Sequence, residues 1–213
     1  MMDVITITML IIASFSGDIG VNDLGGAITV WTSEGSSVTV DQVVDTVGVP
    51  DNLFPPDRLT PECLAIDATI MAEGEGGVRL TLHSADEGPL MAVDYSHLLL
   101  LVRGEVGGES LMIMMRDATM MGPGEAIPLG PVESFLRGGR IETNWGLARI
   151  ALTEFDMIDL SQLESVELVF NTPGAERVYV DEIALTGIPA AQLDVVEPPT
   201  EPQEPVEIRR PNP

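Results

Sequence analysis

Two histidines, one cysteine and 34 carboxylates are the groups in this chain that could do acid–base, nucleophilic or metal chemistry. His83 and His97 stand without a Ser or Cys motif beside them. Each reads as a residue on a strand face rather than a base or a ligand. Cys63 follows Pro61-Glu62 and opens the apolar run Leu64-Ala65, so a buried structural thiol is expected. A single cysteine also allows no intrachain disulfide. Glycoside hydrolysis would need two carboxylates at a set separation beside an aromatic-lined cleft, and nothing singles out such a pair. The glycine-rich turns, such as Glu73-Gly74-Glu75-Gly76-Gly77, lack a following helix and a lysine, which makes them hairpin turns rather than phosphate cradles. All ten basic residues are Arg, so Walker and Schiff-base lysines are excluded. The chain reads as a protein that is not an enzyme.

Charge narrows the partners. A formal net charge of −24 repels phosphate backbones and anionic lipid, which disfavours nucleic acid and membrane surfaces. Divalent cations and neutral ligands remain compatible. Arginine in place of lysine fits either a GC-rich genome or a high-salt habitat.

The elements that must position any site are short and strand-like. Apolar residues alternate over Leu64 to Ala72, with Leu64, Ile66, Ala68 and Ile70 on one side and Asp67 and Thr69 on the other. Val78, Leu80 and Leu82 repeat the pattern, leaving Arg79, Thr81 and His83 outward. The turn spacing predicts three hairpins: Ala27–Trp31 with Ser37–Asp41, Leu64–Ala72 with Val78–His83, and Leu98–Arg103 with Leu111–Arg116. The last pair is apolar at successive positions, which suggests strands covered on both faces, with Met112, Met114 and Met115 as core filler. Residues 42–61 hold four prolines and read as a long loop, and Ala118 to Gly139 as a Gly/Pro-rich excursion. Arg140–Trp145, Leu147–Leu152, Glu164–Phe170 and Arg177–Thr186 complete the strands. Asp159 is placed to cap a single helical turn over Asp159–Leu163. About ten strands without a long helix predict an all-β, two-sheet antiparallel sandwich.

The two ends differ from the middle. Val4 to Phe15 is apolar, but no basic residue precedes Arg58, so the stretch lacks the charged start of a secretory signal. It is also shorter than the roughly 20 residues needed to span a bilayer, and its Ile, Thr and Val content suits a first strand. After Leu193 a Pro/Glu spacer begins, expected to be extended. The expected organisation is one domain over residues 1–190 with a tail over 191–213.

Several motifs occur in an order that resembles the galactose-binding-like jelly-roll superfamily, in the branch of carbohydrate-binding modules and the complex I intermediate-associated protein domain. They are Ser14-Phe15-Ser16 followed by Asn22-Asp23-Leu24-Gly25-Gly26, then Tyr95-Ser96-His97-Leu98 leading to Val102-Arg103-Gly104. Trp145, Ile150-Ala151-Leu152, Phe155, Leu160-Ser161-Gln162-Leu163 and Val180-Asp181-Glu182-Ile183 follow. The acids that usually flank the first Phe are serines here.

The resemblance implies a jelly roll and a non-catalytic module of carbohydrate-binding type, expected here to be extracellular or at the cell surface, whereas the complex I branch would imply an intracellular chaperone. It also implies a structural calcium held by Asp181, with Asp18 or Asp23 standing in for the missing first-strand acid. Sugar-binding relatives stack a Trp or Tyr on the pyranose with polar groups beside it. On that basis Trp31 is the candidate platform, and Arg79, Arg116 and Arg149 the candidate polar contacts. An outward Arg in so acidic a chain is more often the partner of an Asp or Glu, and Trp145 matches a position that is usually structural. Aromatics make up only 4% of the chain. That scarcity keeps a second reading open: a structural subunit of an extracellular or envelope assembly, in which the first strand or the tail contacts a neighbouring subunit and forms a homo-oligomer.

Overall fold

The computed structural model describes residues 8–50, 62–120 and 125–187. Eleven strands run through them: β1 (Thr8–Ala13), β2 (Ile28–Thr32), β3 (Ser37–Val44), β4 (Glu62–Ile70), β5 (Gly76–Thr81), β6 (His97–Gly104), β7 (Met112–Asp117), β8 (Ile127–Pro131), β9 (Gly146–Ala151), β10 (Leu163–Phe170) and β11 (Gly174–Gly187). They form two antiparallel sheets. One has the order β3-β4-β11-β6-β9 with β1 added beside β11, and the other the order β2-β5-β10-β7-β8. This is the expected jelly-roll sandwich. β11 is long enough to take two partners on one edge: β4 along residues 174–180 and β1 along residues 183–187. β6 runs along its other edge.

Alternation builds the core as the sequence predicts. Leu64, Ile66, Ala68 and Ile70 of β4 face Val78 and Leu80 of β5 and Val166, Leu168 and Phe170 of β10 in one buried cluster between the sheets. The six-stranded sheet has a second apolar layer on its outer face. Cys63, Ala65, Leu99, Leu101, Trp145, Tyr179 and Ala184 are buried there, with Val47 and Val49 of the loop after β3 packed against them. That layer explains why Leu98 to Val102 of β6 are apolar and buried without interruption.

None of the three expected hairpins forms within one sheet. β2, β5 and β7 lie in the five-stranded sheet, while β3, β4 and β6 lie in the six-stranded one. Each connection therefore arches from one sheet to the other, across roughly 10 Å. A glycine-rich turn between two alternating runs looks the same in sequence whether it folds a hairpin or an arch. Strands adjacent in sequence do pair at β3–β4 and β7–β8.

Other expectations are corrected locally. Arg140 to Trp145 is not a strand, and the Gly/Pro-rich excursion contains β8 and a 3-10 turn at Val132–Phe135. Of the three methionines expected in the core, only Met115 is there, because β7 is covered on one face and Met112 and Met114 point to the other. Residues 4–7 of the expected first strand and the whole expected tail lie outside the described residues.

Two motifs have clear local causes. Asn22 Oδ1 accepts from the amides of Leu24 and Gly26, each at 3.0 Å, and its Nδ2 donates to Thr81 O at 2.6 Å. The loop after β1 is thereby stapled to β5, and a Cβ on Gly26 would stand 1.8 Å from Thr81 O. Asp159 caps the 3-10 turn Leu160–Gln162 by accepting from Ser161 N at 2.9 Å, as expected.

Candidate functional site

Residues opposite one another in an antiparallel sheet share a face. On the outer face of the five-stranded sheet this rule assembles three rows. Trp31, Gly77, Val169 and Met112 form the first, and Thr29, Arg79, Glu167 and Met114 the second. Thr81, Ser165 and Arg116 form the third. Three of the four residues expected to touch a ligand, Trp31, Arg79 and Arg116, therefore lie on one face although they come from three separate strands. Arg149 does not join them. It sits on β9 opposite Leu99, exposed on the outer face of the other sheet.

The face has a buried floor and raised sides. Ser165, Glu167 and Val169 of the central strand β10 point outward yet are buried, at 1%, 3% and 2% exposure. Arg79 of β5 on one side and Met112, Met114 and Arg116 of β7 on the other are the longer side chains beside them, and the strip of the face along β10 between them is called the trough below. Gly77 keeps the floor low on the Trp31 side, since a Cβ there would come within 2.3 Å of Leu168 O. Trp31 is half-buried, and its indole N–H is covered by protein without a hydrogen-bond partner, so ring carbon is what it shows outward.

The polar groups on this face are compensated. Arg79 Nε donates to Glu167 Oε1 at 2.8 Å, and Arg116 Nε to Glu164 Oε2 at 3.1 Å. Arg116 also donates to Met120 O at 2.6 Å. Two guanidinium groups and two carboxylates cancel locally, whereas the chain as a whole carries −24. Glu167 was not singled out in the sequence, and Met112 and Met114 were expected in the core rather than on this face. The one available signal for Glu167 is a charged residue between the apolar residues Val166 and Leu168 of β10, at an outward position.

The outer face of the six-stranded sheet is organised differently. Arg103 donates through Nε to Asp45 Oδ2 at 3.2 Å and through Nη2 to Asp45 Oδ1 at 2.5 Å, with both side chains 8% exposed. The guanidinium lies 3.6 Å from the Tyr179 ring centroid and 5.5 Å from that of Trp145. Trp145 is buried and structural, donating to Asp45 Oδ2 and Val47 O. Burial pushes the Asp45 carboxyl up, but hydrogen bonds from Arg103, Val47 and Trp145 outweigh it and hold the group below its ordinary value. Cys63 is buried, and its thiol is pushed up to about 12 by burial and by Asp45 and Asp181, so it is not a nucleophile at neutral pH.

Of the carboxylates expected to hold calcium, Asp18 and Asp23 line one small cavity beside the end of β1. Asp23 accepts from Ser14 N at 2.6 Å and Asp18 from Gly20 N at 2.9 Å, both within the loop after β1. Asp181 is buried in β11, with Oδ1 lacking a hydrogen-bond partner. Among the described residues no group of three or more His, Cys, Asp or Glu side chains could hold a metal ion. The two histidines are also apart: His83 Nδ1 contacts Ser84 O just after β5, and His97 Nδ1 contacts Ser96 Oγ at the start of β6.

No family model matches the sequence, and no curated protein matches it. Solved structures do match. The chain is similar to a family 11 carbohydrate-binding module from Clostridium thermocellum, solved in complex with a β-1,3-1,4-mixed-linked tetrasaccharide. The TM-score is 0.60 at 16% identity, over 84% of this chain and 96% of that one. It is also similar to a family 30 carbohydrate-binding module of a cellulosomal cellulase of Clostridium thermocellum, with TM-score 0.56 at 18% identity over 84% and 98%. These likenesses show the jelly-roll sandwich that the motif order implied. No helix among the described residues is long and apolar enough to cross a membrane.

Proposed function

We propose that the protein is a non-catalytic carbohydrate-binding module that takes a neutral glycan along the outer face of its five-stranded sheet, outside the cytoplasm. One observation carries this reading: β2, β5 and β7 bring Trp31, Arg79 and Arg116 to a single trough whose floor is buried and whose charges cancel. A pyranose presents an apolar C–H face and a rim of hydroxyls. Trp31 and the thioethers of Met112 and Met114 suit the first. The half-exposed guanidinium of Arg79, bound to Glu167 through Nε, suits the second. Local neutrality on a strongly acidic chain favours an uncharged ligand over an anionic one. The likeness of the whole fold to carbohydrate-binding modules supports the same reading.

A glycan array of neutral oligosaccharides tests it, followed by calorimetry on the best ligand. Binding by the full chain that is lost in Trp31→Ala is the expected result. Binding to no neutral glycan, or full affinity in Trp31→Ala, would refute it.

A further inference from the structure

Seven arginines fall within the described residues, and four of them have an acidic partner: Arg79, Arg103, Arg116 and Arg177. The other three are Arg137, Arg140 and Arg149, all exposed, and none of them has an ion pair among the described residues. Two of these three share one cleft, and the third lies on the strand beside it.

Arg137 and Arg140 line an open cleft of about 470 Å³ beside the edge strand β9. Leu136, Trp145 and Leu147 supply apolar wall, and Asn144 adds an amide. The indole N–H of Trp145 is spent inward on Asp45 and Val47, so the part of the ring left for the cleft is carbon. Arg149 lies two residues past Leu147 on the same outward side of β9 and extends the basic strip. Glu142 is the one acidic residue in the lining, against two arginines, of which Arg140 carries its Nη2 over Gly107 at the rim. Gly138 and Gly139, the latter at φ 68°, form the turn that separates Arg137 from Arg140.

We infer that this cleft is a second binding site, on the sheet opposite the Trp31 trough, and that it takes a carboxylate-bearing sugar, a uronate residue of an acidic glycan. Each part of the lining answers one part of that ligand. Leu147, with the exposed edges of Leu136 and Trp145, meets the C–H face of the ring, Asn144 meets hydroxyls, and the uncompensated arginines meet the carboxylate, for which their planar fork is suited. The volume is within the range of about 300–1,000 Å³ seen for small-ligand pockets. The overall negative charge is no bar at physiological salt, where charges beyond about 8 Å are screened. The two sites differ in one physical respect: the arginines of the trough are neutralised by Glu167 and Glu164, and those of the cleft are not.

The test uses the full chain and calorimetry at about 0.15 M salt. The probes are an oligogalacturonate, its methyl ester and an oligoglutamate of matched charge. The oligogalacturonate should bind, and the methyl ester and the oligoglutamate should bind at least about tenfold more weakly, the scale expected for losing a charge-assisted hydrogen bond. Arg137→Gln with Arg140→Gln should weaken oligogalacturonate binding about tenfold or more, with an unchanged melting curve. Trp31→Ala should leave it unchanged. No binding of oligogalacturonate would overturn the inference. So would equal binding of the ester, equal binding of oligoglutamate, or indifference to the arginine pair. Sensitivity to Trp31→Ala instead would place the acidic sugar in the trough and overturn the second site. Neutral-glycan binding to the trough is scored separately, so either site can fail alone.

Discussion

The indole N–H of Trp145 donates to Asp45 Oδ2 at 2.7 Å, joining positions 100 residues apart, and the same carboxylate holds Arg103. Asp45 thus ties the loop after β3 to the outer face of the six-stranded sheet. Val47 and Val49 follow it onto the apolar layer. Removing one member of a buried pair leaves the other charge without compensation, which costs about 3–5 kcal/mol. Asp45→Ala should therefore destabilise the fold by about 3 kcal/mol in urea unfolding. Trp145→Phe removes only a neutral donor and should cost less. Equal stability of Asp45→Ala and the parent chain would show that the pair contributes nothing.

Asp181 gives the opposite pH dependence to Asp45. Burial, with a smaller contribution from Asp45, pushes the Asp181 carboxyl up to about 7, above its ordinary value of 3.8. The folded state then holds this proton over a range in which the unfolded state has released it. Stability contributed by Asp181 falls as pH rises from about 4 to about 7 and is level above that. Three pH units correspond to an upper figure of about 4 kcal/mol. Asp45 is held below its ordinary value, so its stabilisation is present at neutral pH and fades only on strong acidification. The chain should be more stable at pH 5 than at pH 8. Asp181→Asn should remove most of that difference and raise stability at pH 8. Unfolding curves at the two pH values read this directly, and a parent chain more stable at pH 8 would contradict it.

These two residues also show what the sequence could and could not reveal. Period-2 alternation is a local property, so the inward set of β4 and β5 was legible. So was the capping role of Asp159, which depends on neighbours two and three residues away. The sheet to which each strand belongs is not local. β2 and β3 are joined by a four-residue turn yet lie in different layers, and β11 finds β1 from the far end of the domain. The face shared by Trp31, Arg79 and Arg116 was only half legible, because alternation fixes which residues point outward but not which outward faces coincide. Arg149 obeys the same alternation and lands on the other sheet. The Arg137–Arg140 cleft had no periodic signal, since Arg137 falls in the expected Gly/Pro-rich excursion and Arg140 in a loop where a strand was expected.

Gly77 tests the floor of the trough independently of any ligand. It lies between Trp31 of β2 and Val169 of β10, and a Cβ would meet Leu168 O at 2.3 Å and Val169 Cα at 3.2 Å. Both contacts are backbone, so no rotamer change relieves them. Gly77→Ala should push β5 from β10 and destabilise the domain by about 1–3 kcal/mol, the usual cost of overpacking. Gly88 sits in an exposed turn with nothing within 4 Å of its Cβ position, and Gly88→Ala is the control expected to be neutral. Equal melting temperatures for the two variants would mean that the central strands tolerate a wider spacing.

The Arg79–Glu167 pair makes the finest prediction about the trough. Glu167 is 3% exposed and accepts from Arg79 Nε, which fixes one edge of the guanidinium while the Arg79 side chain stays 36% exposed. Glu167→Gln keeps an acceptor of the same shape but removes the charge that anchors Arg79. Neutral-glycan affinity should fall by a few-fold, through loss of positioning rather than loss of contact. Arg79→Ala, which deletes the donor itself, should weaken binding about tenfold. Combining the two should be no worse than Arg79→Ala alone, because the carboxylate acts only through the arginine. Calorimetry on the four chains of this cycle measures the coupling. Strictly additive losses would mean that Glu167 touches the ligand on its own account, and no loss in Arg79→Ala would remove the arginine from the site.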